Sequence, residues 1–147
     1  MDRKEFIKNC GFACVGGGAL ATLLQSCGVS KTLSGTIKDS DLMVALQDFE
    51  TKAGNETHYK KYIIVNNDAL KFPICLYRFD AKNYSALWLQ CAHQGAELQV
   101  FGDKLQCPAH GSEYDNKGNV TNGPADKNLR SFPVSIDGNN LKISLKK

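Results

Sequence analysis

This 147-residue chain has no uninterrupted apolar run of the ~18 residues that a membrane-spanning helix requires. It has little excess charge. Its 18 basic against 15 acidic residues leave +3, too small a surplus for the basic footprint of a nucleic-acid binder or for a polybasic lipid patch. Heptads, internal repeats and low-complexity tracts are missing, which excludes coiled coils and solenoids. Histidine is scarce, with 3 copies, so imidazole chemistry can be assigned residue by residue. The length excludes a large multi-domain enzyme and fits one domain. Within it, 42% hydrophobic and 22% charged residues allow a buried core and argue against general disorder.

The N-terminus has the organisation of a targeting segment. Met1 to Asn9 is polar and carries Arg3, Lys4 and Lys8; Cys10 to Leu24 is a short apolar run broken by Gly16, Gly17 and Gly18. A charged start, a short apolar core and small residues after it predict a cleaved secretory signal rather than a span. A buried helix ending in a chance cysteine is the alternative, but three consecutive glycines would each cost ~1 kcal/mol there relative to alanine. The run ends Leu24-Gln25-Ser26-Cys27-Gly28 and resembles a bacterial lipobox, which implies that Cys27 becomes the lipid-modified first residue of the mature chain. The start Arg3-Lys4-Glu5-Phe6-Ile7-Lys8 also resembles a twin-arginine export motif with lysine in the second basic position. The expected organisation is therefore a lipoprotein signal peptide over 1–26, a lipidated cysteine and small, polar tether over 27–36, and a folded domain over 37–147.

The domain reads as all-β. Strand-like runs at Leu42–Leu46, Tyr59–Val65, Ile74–Phe79 and Ser85–Gln90 are separated by turn-rich stretches such as Lys52-Ala53-Gly54-Asn55 and Asn66-Asn67-Asp68. Phe132–Ile136 and Leu141–Leu145 alternate apolar and polar residues around a hairpin loop, Asp137-Gly138-Asn139-Asn140. Many short strands at close spacing predict a small antiparallel barrel or sandwich.

Two loops concentrate the chemistry. Cys91-Ala92-His93 and Cys107-Pro108-Ala109-His110 each supply one thiolate and one imidazole, and each follows a strand-like run, Ala86–Gln90 and Lys104–Gln106. A β-hairpin with Phe101-Gly102-Asp103 at its tip is expected between them. Two cysteines and two histidines can hold a tetrahedral zinc ion or a 2Fe–2S cluster. Zinc sites usually pair like with like, as Cys-x-x-Cys followed by His-x-x-x-His, whereas here each loop mixes the two.

The segments Cys91-Ala92-His93-Gln94-Gly95 and Cys107-Pro108-Ala109-His110-Gly111-Ser112 resemble the paired motifs of the Rieske iron–sulfur family. The likeness runs on through Glu113-Tyr114-Asp115, Gly118 and Gly123-Pro124-Ala125, and covers roughly residues 60 to 145. It implies a small antiparallel β fold with a cluster-binding subdomain at one tip. It implies a Rieske 2Fe–2S cluster, with Cys91 and Cys107 on the buried iron and His93 and His110 on the outer one. Gly95 and Gly111 would permit sharp turns close to inorganic sulfur, and Pro108 would stiffen the second loop. Pro124 would lie in a third loop over the cluster. The resemblance also gives Ser112 a hydrogen bond to a cluster sulfur and Tyr114 one to a cysteine ligand. Both favour the electron-rich reduced state, which places the potential in the upper half of the family range, above ~+75 mV. In the respiratory branch two further cysteines cross-link the loops; the matching positions here are Ala96 and Ala109.

The expected role is a membrane-tethered, one-electron carrier on the periplasmic side of a bacterial envelope. It would serve as the iron–sulfur component of a quinol-linked or other periplasmic oxidoreductase chain, with a redox partner near the exposed histidines. The alternative is a Rieske ferredoxin feeding an oxygenase, and beyond it a structural zinc domain. An oxygenase would need a second iron site with two histidines and a carboxylate, and only His58 remains. Cys75 reads as an inert core thiol and His58 as a solvated surface residue.

Overall fold

The computed structural model describes residues 32–146. The expected signal peptide, Cys27 and the first part of the tether lie outside the described residues. Fifteen strands follow in order: β1 Thr32–Ser34, β2 Thr36–Lys38, β3 Asp41–Ala45, β4 Glu50–Ala53, β5 Glu56–Tyr59, β6 Tyr62–Asn66, β7 Ile74–Arg78, β8 Tyr84–Trp88, β9 Gln99–Phe101, β10 Lys104–Gln106, β11 Glu113–Asp115, β12 Val120–Asn122, β13 Ser131–Phe132, β14 Val134–Asp137 and β15 Asn140–Ser144. A 3₁₀ turn, Leu46–Phe49, links β3 to β4.

The strands form a 5-stranded sheet ordered β1-β6-β7-β8-β13, two 4-stranded sheets ordered β12-β11-β10-β9 and β14-β15-β3-β2, and the exposed β4-β5 hairpin. The 5-stranded sheet is a wall between two cores. Strand β7 shows why: Ile74, Cys75, Leu76 and Tyr77 are all buried, the continuous apolar pattern of a strand covered on both faces. Its residues alternate between the two sides. Ile74 and Leu76 pack with Leu42, Val44, Phe49, Leu141 and Ile143 toward the β14-β15-β3-β2 sheet. Cys75 and Tyr77 pack with Leu87, Leu89, Leu105 and Tyr114 toward the β12-β11-β10-β9 sheet. Cys75 is thus a fully buried core thiol, as expected from its run.

Most expected strands are present within a residue or two of their anticipated ends. Three differences have physical causes. Tyr59–Val65 is two elements, because Tyr59 closes the β4-β5 hairpin while Tyr62 opens β6 against Tyr77. Phe132–Ile136 is divided at Pro133, which has no N–H for a ladder: Phe132 pairs with Ala86 of β8 and Val134 with Ile143 of β15. The chain therefore changes sheets at the proline. The third is a correction to the tether over 27–36: Thr32–Ser34 is a strand, paired parallel to β6 in the register Thr32↔Ile64. Three residues, Thr-Leu-Ser, are too few to show an apolar period by which to see it. The domain therefore starts before residue 37.

Candidate functional site

The two chemistry-bearing loops sit at the same end of the second core and share one backbone plan. In the first, Gly95 N–H donates to Cys91 O at 2.9 Å and Cys91 N–H donates to Ala96 O at 2.8 Å. In the second, Gly111 N–H donates to Cys107 O at 2.9 Å and Cys107 N–H donates to Ser112 O at 2.8 Å. Each turn needs a left-handed residue at the same place, and glycine supplies it with φ of 76° at Gly95 and 79° at Gly111. Strands β8, β10 and β11 fix where the loops begin and end. A bridge between Gln90 and Glu97 closes the first loop at its base.

This repeat sorts the four candidate ligands by depth. Cys91 and Cys107 are 3% and 2% exposed, and neither is in a disulfide. His93 is half-buried and His110 exposed, with ring centroids 5.0 Å apart and planes at 89°. His93 Nδ1 is buried without a hydrogen-bond partner. A buried imidazole nitrogen with no partner is costly unless something accepts its lone pair, so this atom is suited to a metal. Among the described residues no three His, Cys, Asp or Glu side chains form a group that could hold a single ion. The four stand as a thiol pair below and an imidazole pair above, the division a histidine-ligated 2Fe–2S cluster requires.

The neighbouring hydroxyls are oriented by backbone amides. Tyr114 is fully buried; its oxygen accepts from Ala92 N–H at 3.1 Å and lies 3.4 Å from Cys91 Sγ, to which its proton can be donated. Ser112 is likewise fully buried, and its Oγ accepts from Ala125 N–H at 3.0 Å. Burial pushes the Cys91 thiol up. Hydrogen bonds from Tyr114, the His93 amide, Cys107 and the Gln94 amide outweigh it and hold the group below its ordinary value. Burial and the adjacent Cys91 push the Tyr114 hydroxyl up, so it remains a donor.

Every expected site residue in the described part of the chain lies at this end. Pro108 and Ala109 are exposed at the second loop, and Pro124 is exposed in the third, where Ala125 beside it is buried. Ala96 and Ala109 replace any cross-link with small side chains. The first loop is instead tied to β11 through Tyr114, and the third to the second through Ser112. Neither tie was foreseeable in full, since the partners at Ala92 and Ala125 are main-chain N–H groups with no side-chain signature.

Against known proteins, the model of the Rieske [2Fe-2S] domain matches residues 49–133. The chain belongs to the Rieske family. Rieske domains bind a Rieske 2Fe–2S cluster, and the fit of the two Cys–His pairs is that of such a domain. The cytochrome b6-f complex iron-sulfur subunit of Synechococcus sp. (strain JA-2-3B'a(2-13)) is 32% identical over 85 residues, covering 56% of this chain and 42% of the relative. That of Synechococcus sp. (strain CC9605) is 38% identical over 56 residues, covering 37% of this chain and 32% of the relative. The chain thus spans well under half the length of these relatives. Among solved structures, the cyanobacterial plasma membrane Rieske protein from Synechocystis PCC 6803 superposes with TM-score 0.50 at 26% identity, covering 57% of this chain and 86% of that one. A chain of the complex of reduced oxygenase and oxidized ferredoxin in carbazole 1,9a-dioxygenase superposes with TM-score 0.53 at 23% identity, covering 75% and 97%; it shares the fold. The match of this Rieske domain begins at residue 49, whereas β1 to β3 precede it and complete the first core.

Proposed function

We propose that this Rieske protein is a membrane-tethered, one-electron carrier whose cluster is held by Cys91 and Cys107 on the inner iron and by His93 and His110 on the outer. The observation that carries the reading is the repeated loop frame, which buries two free thiols and leaves two imidazoles toward the surface. When bound, the cluster supplies reversible uptake of one electron. The chain excludes water from the thiolates and gives Cys91 a hydrogen bond from Tyr114. Ser112 directs a second donor at the cluster. Both donors favour added negative charge, so the potential lies above ~+75 mV. His110, on the exposed rim, brings the outer iron within reach of a partner redox protein.

The tether is Cys27, lipidated after removal of residues 1–26, and the domain faces the periplasmic side of a bacterial envelope. The chain it serves is a quinol-linked or other periplasmic oxidoreductase chain. The relatives bearing the name of a cytochrome b6-f iron-sulfur subunit support that direction. The test is purification from the membrane fraction followed by electron paramagnetic resonance and a redox titration. A reduced, histidine-ligated cluster signal with a midpoint above ~+75 mV supports the carrier. A midpoint near −150 mV would indicate a ferredoxin for an oxygenase, and a colourless protein with zinc would remove the reading altogether.

A further inference from the structure

The third loop, residues 123–130, joins β12 to β13 and delivers Ala125 to Ser112. Its return path has two anchors. Leu129 N–H donates to Gly118 O at 2.8 Å. The Asn128 side chain makes the second: its Oδ1 accepts from Val120 N–H at 3.0 Å, and its Nδ2 donates to Asn119 Oδ1 at 3.2 Å. Asn119 Nδ2 in turn donates to Asp115 Oδ2 at 2.9 Å. Asp115 directly follows Tyr114 in β11. A ladder of three side chains thus runs from the strand behind the site to the loop that covers it.

The far end of that loop determines what Ser112 can do. A hydroxyl has one proton and two lone pairs. With Ala125 N–H on one lone pair at 3.0 Å, the directions open to the proton are restricted, and among the described residues no acceptor takes it. Losing the Ala125 N–H from that lone pair would free the hydroxyl to rotate. The ladder contains none of the four candidate ligands, yet it ties down the loop that carries this amide.

We propose that Asn128 is a positioning residue for the Ser112 hydroxyl, holding the third loop so that the Ala125 amide points the Ser112 proton at a cluster sulfur and raises the potential. The proposal rests on the reading that Ser112 faces the cluster. The ladder holds the third loop without a covalent link.

The experiment uses the full, cluster-loaded chain and its variants Ser112→Ala, Asn128→Ala, Asn119→Ala and the double variant Ser112→Ala/Asn128→Ala. Midpoint potentials are read by titration, and backbone exchange across residues 120–130 by mass spectrometry. Asn128 is exposed and the Leu129 anchor stays, so the single variant keeps its fold; Asn119→Ala breaks the same ladder independently. The expected result is a lower potential in both asparagine variants, by part of the drop seen in Ser112→Ala. Exchange in the loop should be about fivefold to tenfold faster, as for the loss of about one hydrogen bond. In the Ser112→Ala background Asn128→Ala should change nothing further. A wild-type potential in Asn128→Ala beside a lowered one in Ser112→Ala would overturn the proposal, as would drops that simply add. An unchanged potential in Ser112→Ala would instead overturn the reading of Ser112 on which it rests.

Discussion

Replacing Tyr114 by phenylalanine removes one oxygen and leaves the ring in the buried cluster it shares with Leu105 and Leu87. That oxygen has two partners. It stands 3.4 Å from Cys91 Sγ and accepts from Ala92 N–H at 3.1 Å. A hydrogen bond to a charged group contributes about 1.5–3 kcal/mol, and only the share that differs between oxidation states moves the potential. Taking a third to two thirds of the upper value gives about 1–2 kcal/mol, which for one electron is a fall of about 40–90 mV. The Ala92 amide loses its acceptor too, in a part-buried position, so a stability cost of about 1–3 kcal/mol should accompany the change. Film voltammetry measures the first quantity and thermal unfolding followed by visible circular dichroism the second. A midpoint within about 10 mV of wild type, equivalent to about 0.2 kcal/mol, would refute the claim that this hydroxyl acts on the thiolate. A fall in melting temperature with no change in potential would reduce Tyr114 to a mechanical tie.

Four further outcomes are expected. Serine at Cys91 or Cys107, or alanine at His93 or His110, should each abolish or distort the cluster signal; an undisturbed signal in any of them would mean that the ligand set is misassigned. Cys75→Ser should lower stability through the buried hydroxyl it introduces while leaving that signal, read by resonance and melting together. Cys27→Ala should shift the protein from the membrane to the soluble fraction, and equal retention of both forms would count against lipidation. For Asp115, partial burial pushes the carboxyl up, but hydrogen bonds from the Asn119 side chain and from the amides of Asn119 and Lys117 outweigh it and hold the group below its usual value. Its contribution to the β11–β12 turn is therefore complete above the unfolded value of ~3.9 and is lost as pH falls through the lower folded one. Asp115→Asn should be less stable than wild type near neutrality, with the gap closing in acid; a gap independent of pH would show that the carboxylate charge is not involved.

Much of this arrangement was legible in the chain. The spacing of Cys91, His93, Cys107 and His110 located the two loops, and the apolar run around Cys75 marked a strand and a core thiol. What escaped reading shares a physical reason. Strand β1 is three polar and aliphatic residues held by parallel pairing to β6, a long-range partner that leaves no local period. The β4-β5 hairpin is exposed on both faces, so no burial pattern is imposed on it. The split at Pro133 was available in principle, since a proline in an alternating run signals a break, but the alternation concealed it. The ties at Ala92 and Ala125 use main-chain donors, which every residue but proline possesses and which only the folded chain selects.

The wall shared by the two cores makes the molecule divisible. Leu42, Val44, Phe49, Leu141 and Ile143 close one side of that wall without contributing a residue to the two Cys–His loops, while Cys91 and Cys107 belong wholly to the other. Removal of iron should accordingly loosen one storey and leave the other standing: slow amide exchange retained in β3, β6, β7 and β15, and fast exchange in residues 91–96 and 107–112. Such a scaffold can take up its cofactor after most of its chain is already in place. An iron-starved cell would then hold a half-ordered receptor awaiting metal rather than an unfolded polypeptide.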